Sequence, residues 1–393
     1  MPDFGRMLRR LRQERGWTQT ELARRVHVGQ SALSRYESGR SQPSPDVVEA
    51  LAEVLGDALR TAAPAMALNQ VDGGAGDGLA AIELARRVKA SDVGDSTLQQ
   101  LEEGFDQMAT AYSSAAPPLL LPQVTSHLGY VFELLDGPKL SLSAHRRLVV
   151  AGAWYSLLAA TLHIDLNQHG AATARLRAAA SLARHAGHDE IRAWAAETEA
   201  WRQLTAGQLR RAYDLTEAAR YLAPVGSSIH VQATAQQGRV LARLGDSERT
   251  YHAVDSVNSL AADLPALDAD EREHHYRYDG TKRCAYTATT LSWLGDPAAA
   301  GHAEHVIDQL TPKASESGRW PRRLASAYLD LALVQVKTGE VDSAADSALI
   351  AMRTGSVVPS NFWRAAEVVR AVEARRMPQA RELQAAYREM TQS

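Results

Sequence analysis

Histidine, tyrosine and lysine are the residues of this 393-residue chain whose spacing suggests chemistry. His185 with His188, and His302 with His305, stand at i, i+3, which puts two imidazoles on one helix face where they can share a metal ion. Neither pair has a third ligand close by in sequence, so both read as surface or core histidines; His274 and His275 make no better site. No Gly-x-Ser-x-Gly, His-Glu-x-x-His or Gly-x-Gly-x-x-Gly occurs. The single cysteine, Cys284, excludes an internal disulfide and a cysteine zinc cluster. The expectation is a protein that binds rather than catalyses and carries no cofactor.

The most suggestive constellation lies in residues 271–295, EREHHYRYDGTKRCAYTATTLSWLG. Read as one helix, this segment brings His275, Tyr278, Lys282 and Tyr286 near one face, with Trp201 contributed by a neighbouring helix. Flat amphipathic rings beside a cation suit a peptide or an anionic ligand. The same face also reads as a solvated helix surface with the two tyrosines packed between neighbouring helices.

Charge separates the chain into a head and a body. Residues 1–42 hold nine Arg against four acids, a balance of +5, so the remainder must sum to −8 within a net charge of −3. A basic head on an acidic body is the layout expected when only the head meets phosphate.

The head is patterned as four short helices. Phe4, Leu8 and Leu11 form one apolar stripe on a first helix that ends near Gly16. Thr18 and Glu21 make a capping box for a second helix with Leu22, Ala23 and Val26 inward. A third runs from about Gln30 to Tyr36, and Ser44-Pro45 opens a fourth with Val48, Leu51 and Leu55 inward. A tight turn between the second and third describes a helix-turn-helix domain.

The stretch FGRMLRRLRQERGWTQTELARRVHVGQSALSRYESGRSQPS resembles the Xre family of lambda-repressor-like DNA-binding domains, through Trp-Thr-Gln-x-x-Leu-Ala followed by Ser-x-x-Ser-Arg-Tyr-Glu-x-Gly. The resemblance implies that residues 30–37 form a recognition helix whose start enters the major groove. It assigns Gln30, Ser31 and Ser34 to base edges, Arg35 to a guanine edge or a phosphate, and Gln19, Arg40 and Ser41 to the DNA backbone. Arg12 and Glu37 match a bracing salt bridge. The sequence departs from the family at the turn, where His27-Val28-Gly29 replaces the common Gly-Val-Ser, at the cost of a side-chain cap for the third helix.

Residues 61–78, TAAPAMALNQVDGGAGDG, read as a flexible linker between a domain over 1–60 and a helical domain over 79–393. In the latter, Gly207, Gly245, Gly295 and Gly339 stop first helices, and Pro224, Pro265, Pro312 and Pro359 bar continuation of second ones. A turn at His169-Gly170 and a pair over 361–390 extend the series. Small residues such as Ala212, Ala218 and Ala219 in a second helix resemble tetratricopeptide repeats. The expected fold is all-α: a lambda-repressor-like helix-turn-helix domain followed by a tetratricopeptide-like α-solenoid, with a groove lined by first helices.

This layout resembles the peptide-pheromone-responsive regulators of Gram-positive bacteria and the helix-turn-helix plus repeat regulators of actinobacteria. It implies a homodimeric transcriptional regulator that binds double-stranded DNA at an inverted-repeat operator and senses a peptide or small molecule in the groove. The alternative is a DNA-localised scaffold whose groove holds a partner protein. No apolar run suggests a membrane span and the start is no signal peptide, so a cytoplasmic, membrane-free protein is expected.

Overall fold

The computed structural model describes residues 4–41, 43–56, 59, 78–79, 81–83, 93–137, 140–264, 274–317 and 321–392. They are helical, with no strand among the described residues, and the chain divides into two compact units, residues 1–72 and 73–393. The glycine-rich linker expected over 61–78 falls, apart from Gly78, outside the described residues.

The first unit contains α1 (Phe4–Glu14), α2 (Gln19–Arg25), α3 (Gln30–Glu37) and α4 (Pro45–Leu55). One leucine from each helix, Leu8, Leu22, Leu33 and Leu51, is fully buried, and Val26, Leu55 and Leu59 complete the core. Burying each leucine contributes roughly 2 kcal/mol, so the apolar stripes suffice to hold four such short helices together.

The second unit stacks helices in pairs: α5 (Asp95–Ala111) with α6 (Pro117–Leu135), α7 (Leu142–Asp165) with α8 (His169–Ala186), and α9 (Asp189–Thr205) with α10 (Leu209–Leu222). There follow α11 (Ser228–Leu244) with α12 (Ser247–Ala262), α13 (Gly280–Leu294) with α14 (Ala299–Ser317), α15 (Pro321–Thr338) with α16 (Val341–Arg353), and α17 (Phe362–Ala374) with α18 (Ala380–Gln392). Each first helix also packs on the first helix of the next pair, which makes a layered solenoid. Gly207, Gly245, Gly295 and Gly339 adopt φ of 75°, 76°, 87° and 92°, the left-handed turn that glycine enters without steric cost.

Several details correct the sequence reading. Asn167, at φ 56°, makes the turn between α7 and α8, while Gly170 lies inside α8. Pro312 does not end its helix but sits within α14, where burial of Val306 and Leu310 offsets the lost backbone bond. Ala218 faces outward; Thr216 is the buried residue between Ala212 and Ala219. Pro265 lies outside the described residues. Contrary to the hydropathy reading, one helix among the described residues, α7, is long and apolar enough to cross a membrane, and 83% of its apolar window is buried inside the protein.

The helix read over 271–295 is also shorter than expected. It begins at Gly280, because Asp279 takes the N-cap and accepts a hydrogen bond from Lys282 N at 2.6 Å. Upstream, the backbone serves tertiary contacts instead: His275 N donates to Ala109 O at 3.1 Å and Tyr278 N to Ser228 Oγ at 3.0 Å.

Candidate nucleic-acid interface and central cavity

In the first unit, Thr18 closes the start of α2 with a reciprocal capping box: its Oγ accepts from Glu21 N at 3.2 Å, and Glu21 Oε2 accepts from Thr18 N at 2.7 Å. The chain then reverses through His27 at φ 53° and enters α3 from Gly29, which supplies no side-chain cap. Gln30, Ser31 and Arg35 are exposed on α3, and Ser34 is half-buried. Gly39, at φ 70°, turns the chain back so that Arg40 N and Ser41 N both donate to Arg35 O. Arg40 is exposed and Ser41 half-buried beside the end of α3.

Beneath this face lies a chain of hydrogen bonds that fixes the orientation of α3. Arg12 and Glu37 are both buried; Arg12 Nε and Nη2 donate to the two Glu37 oxygens, the latter at 2.9 Å, while Arg12 Nη1 donates to Trp17 O at 2.6 Å. Burial raises the Glu37 carboxyl, but the bonds from Arg12 and Gln19 outweigh it and leave its pKa below the ordinary carboxylate value. Gln19 Nε2 donates to Glu37 Oε2 at 2.9 Å, and Gln30 Nε2 donates to Gln19 Oε1 at 2.8 Å. The residue assigned to the DNA backbone therefore holds the residue assigned to a base. That bond links two helices and has no signature in sequence spacing.

Close packing adds a second restraint. A Cβ placed on Gly5 would lie 2.5 Å from Tyr36 O and 2.8 Å from Glu37 O, so α1 meets the end of α3 backbone to backbone.

In the second unit the first helices line a cavity of about 190 Å³ that is open on one side. Trp201, His275, Lys282 and Tyr286 line it, as the sequence reading grouped them. Tyr278 does not: it is 4% exposed and packs with Val231, Ala235 and Val257 in a small apolar cluster. Tyr278 precedes the helix, so helical spacing does not place it on the face of Lys282 and Tyr286.

What sequence reasoning missed is the ring of buried charge around these residues. Asp165, the last residue of α7, accepts from Tyr112 Oη at 2.7 Å, Arg322 Nη1 at 3.5 Å and Ser360 Oγ at 3.3 Å. Glu197 on α9 accepts from Gln232 Nε2 at 2.8 Å. Asp330 on α15 accepts from Thr289 Oγ1 at 2.6 Å and pairs with Arg364, which also donates to Ser326 Oγ at 2.6 Å. Burial pushes all three carboxyls up, partly countered by Arg322, Arg239 and Arg364 respectively. Arg239 lies over the Tyr286 ring at 4.0 Å and the Trp201 ring at 5.1 Å. Lys282 Nζ donates to His275 O at 2.7 Å and Arg277 O at 3.1 Å.

Residues 3–58 match a protein family described as a helix-turn-helix domain. A 51-residue stretch is 43% identical to the competence pilus inhibition repressor of Acinetobacter baylyi, covering 13% of this chain and 46% of that protein, so the match spans about half the relative's length. The structure of Bacillus thuringiensis PlcR in complex with the peptide PapR7 and DNA aligns over 67% of this chain and 95% of that one. With 13% identity and a TM-score of 0.26, that likeness is too weak to carry a conclusion. Motif, four-helix core and family match agree: residues 3–58 form a helix-turn-helix domain similar to the Xre type, and the described residues of the second unit form a helical solenoid.

Proposed function

We propose that this chain is a sequence-specific transcriptional regulator that reads double-stranded DNA through α3 and acts as a homodimer whose solenoid responds to a ligand. The observation that carries the reading is the Gln30–Gln19–Glu37–Arg12 chain, which holds an exposed amide at the start of α3 in a fixed pose. A glutamine so held suits bidentate recognition of a base, and the exposed Arg35 and Arg40 suit a neighbouring base edge or phosphates. A single head reads few base pairs, so useful affinity calls for two heads on one operator. The solenoid supplies a lined cavity on its first helices for a ligand, and binding rather than catalysis, in the cytoplasm, is the role that follows.

Selection of bound sequences from random DNA by the full-length protein tests the reading. The expected product is an inverted repeat with half-site centres about 34 Å apart, or a multiple of that, bound with a steep loss of affinity as salt rises. Enrichment of one isolated half-site by a monomer would overturn the dimer, and no enrichment at all would overturn sequence-specific binding.

A further inference from the structure

Five cations line the cavity, and they are unequally matched. Arg322, Arg323 and Arg364 each face a carboxylate, from Asp165, Asp279 and Asp330 respectively. Arg239 and Lys282 have weaker matches: Glu197 lies 3.9 Å from Arg239 Nη2 and also feels Lys282, and Lys282 Nζ is met by two backbone carbonyls. The further carboxylates they feel, Asp330 and Asp279, are already paired with Arg364 and Arg323. Glu197 already accepts a bond from Gln232, and it is itself buried. A buried cation without a full counter-charge is costly, and here five cations face four carboxylates, Asp165, Glu197, Asp279 and Asp330.

Donor capacity is also left over. Arg239 Nε and Arg364 Nε have no hydrogen-bond partner among the described residues, although these residues are only 6% and 2% exposed. The Arg239 guanidinium packs on the rings of Tyr286, at 4.0 Å, and Trp201, at 5.1 Å, contacts that restrict its direction before anything binds. The space is small, below the roughly 300 Å³ at which drug-sized pockets begin.

We propose that the cavity is the binding site for a compact anion bearing a carboxylate or phosphate group, with Arg239 and Lys282 as its charge partners and Tyr286 and Trp201 as the walls that orient Arg239. The inference rests on the ligand-responsive reading above and names its ligand class. Both anionic groups match a guanidinium fork, and size favours a small metabolite or one terminus of a longer molecule over a ligand that fills a long groove.

Calorimetric titration of the full-length protein with inorganic phosphate and with succinate, each against sodium chloride at equal ionic strength, tests it. Saturable binding of one or both is expected, and the stronger probe identifies the source as phosphate or carboxylate. Arg239→Gln and Lys282→Gln should each weaken that binding at least tenfold, whereas the exposed Arg184→Gln should leave it unchanged. If neither probe binds above the chloride control, or if both cavity variants bind like wild type, the proposal is overturned; the wild-type titration decides even where a variant does not fold. Binding with unchanged operator affinity would keep the anion site and overturn the sensing role, whereas absent binding with intact operator recognition would leave the DNA-reading head standing alone.

Discussion

The Gln19 amide bridges Glu37 and Gln30, so its removal changes two things at once. Were Gln19 only a backbone contact, Gln19→Ala would weaken every DNA sequence equally. Because it also aims Gln30, the variant should cost about 1–3 kcal/mol on the preferred operator and broaden base preference at the position that Gln30→Ala broadens. Affinities for a panel of single-base operator variants distinguish the cases; an unchanged preference in Gln19→Ala would mean that the bond does not orient Gln30. Residues of the head were legible because they occur in one contiguous motif, whose types and spacing are visible together. Those of the cavity were not, since Asp165, Glu197, Arg239, Asp330 and Arg364 sit on five separate helices and meet only after stacking. A faint signal did exist: Asp165 in Ile-Asp-Leu and Asp330 in Leu-Asp-Leu are acids at positions where a buried helix wants apolar groups.

Among the elements, α1 and α3 approach most tightly at Gly5, where a methyl group would collide with two backbone carbonyls that no rotamer change can move. Gly5→Ala should therefore destabilise the first unit by about 1–3 kcal/mol, as overpacking does, and tilt α3 away from α1. Thermal unfolding read from the first unit checks this, and an unaltered midpoint would refute the close approach. Helix boundaries were legible where glycine had to adopt a left-handed turn, as at Gly207 and Gly245. They were illegible where tertiary contacts decided the matter: the start of α13 depends on Asp279 as cap and on backbone bonds from His275 and Tyr278 to distant segments. Pro312 likewise misled because a local rule about proline yielded to burial of the α14 face.

For the whole second unit, acidity is the informative variable. His127, His230, His274 and His275 are held below the ordinary imidazole value, chiefly because burial disfavours the charged ring, and His274 is pushed down to about 4. Their contribution to stability is present above the ordinary imidazole pKa and lost as pH falls through the depressed values. Asp165, Glu197 and Asp330, raised chiefly by burial, act in the opposite sense: their contribution is present below the ordinary carboxylate range and lost as pH rises through the raised values. The clean measurement is thus a difference. Unfolding free energy of wild type minus that of His274→Gln should shrink as pH drops from about 6.5 toward about 4, and a difference independent of pH would contradict the assignment. Asp165 carries a further consequence. It ties α7 to Tyr112 behind α5, to Arg322 on α15 and to Ser360 just ahead of α17, so an early helix grips a late one across 195 positions of chain. An open row of repeats can shed its last members one by one, since each touches only its neighbour. Here the segment leading into α17 is buckled to the end of α7, so the start of α17 cannot fray without opening that clasp.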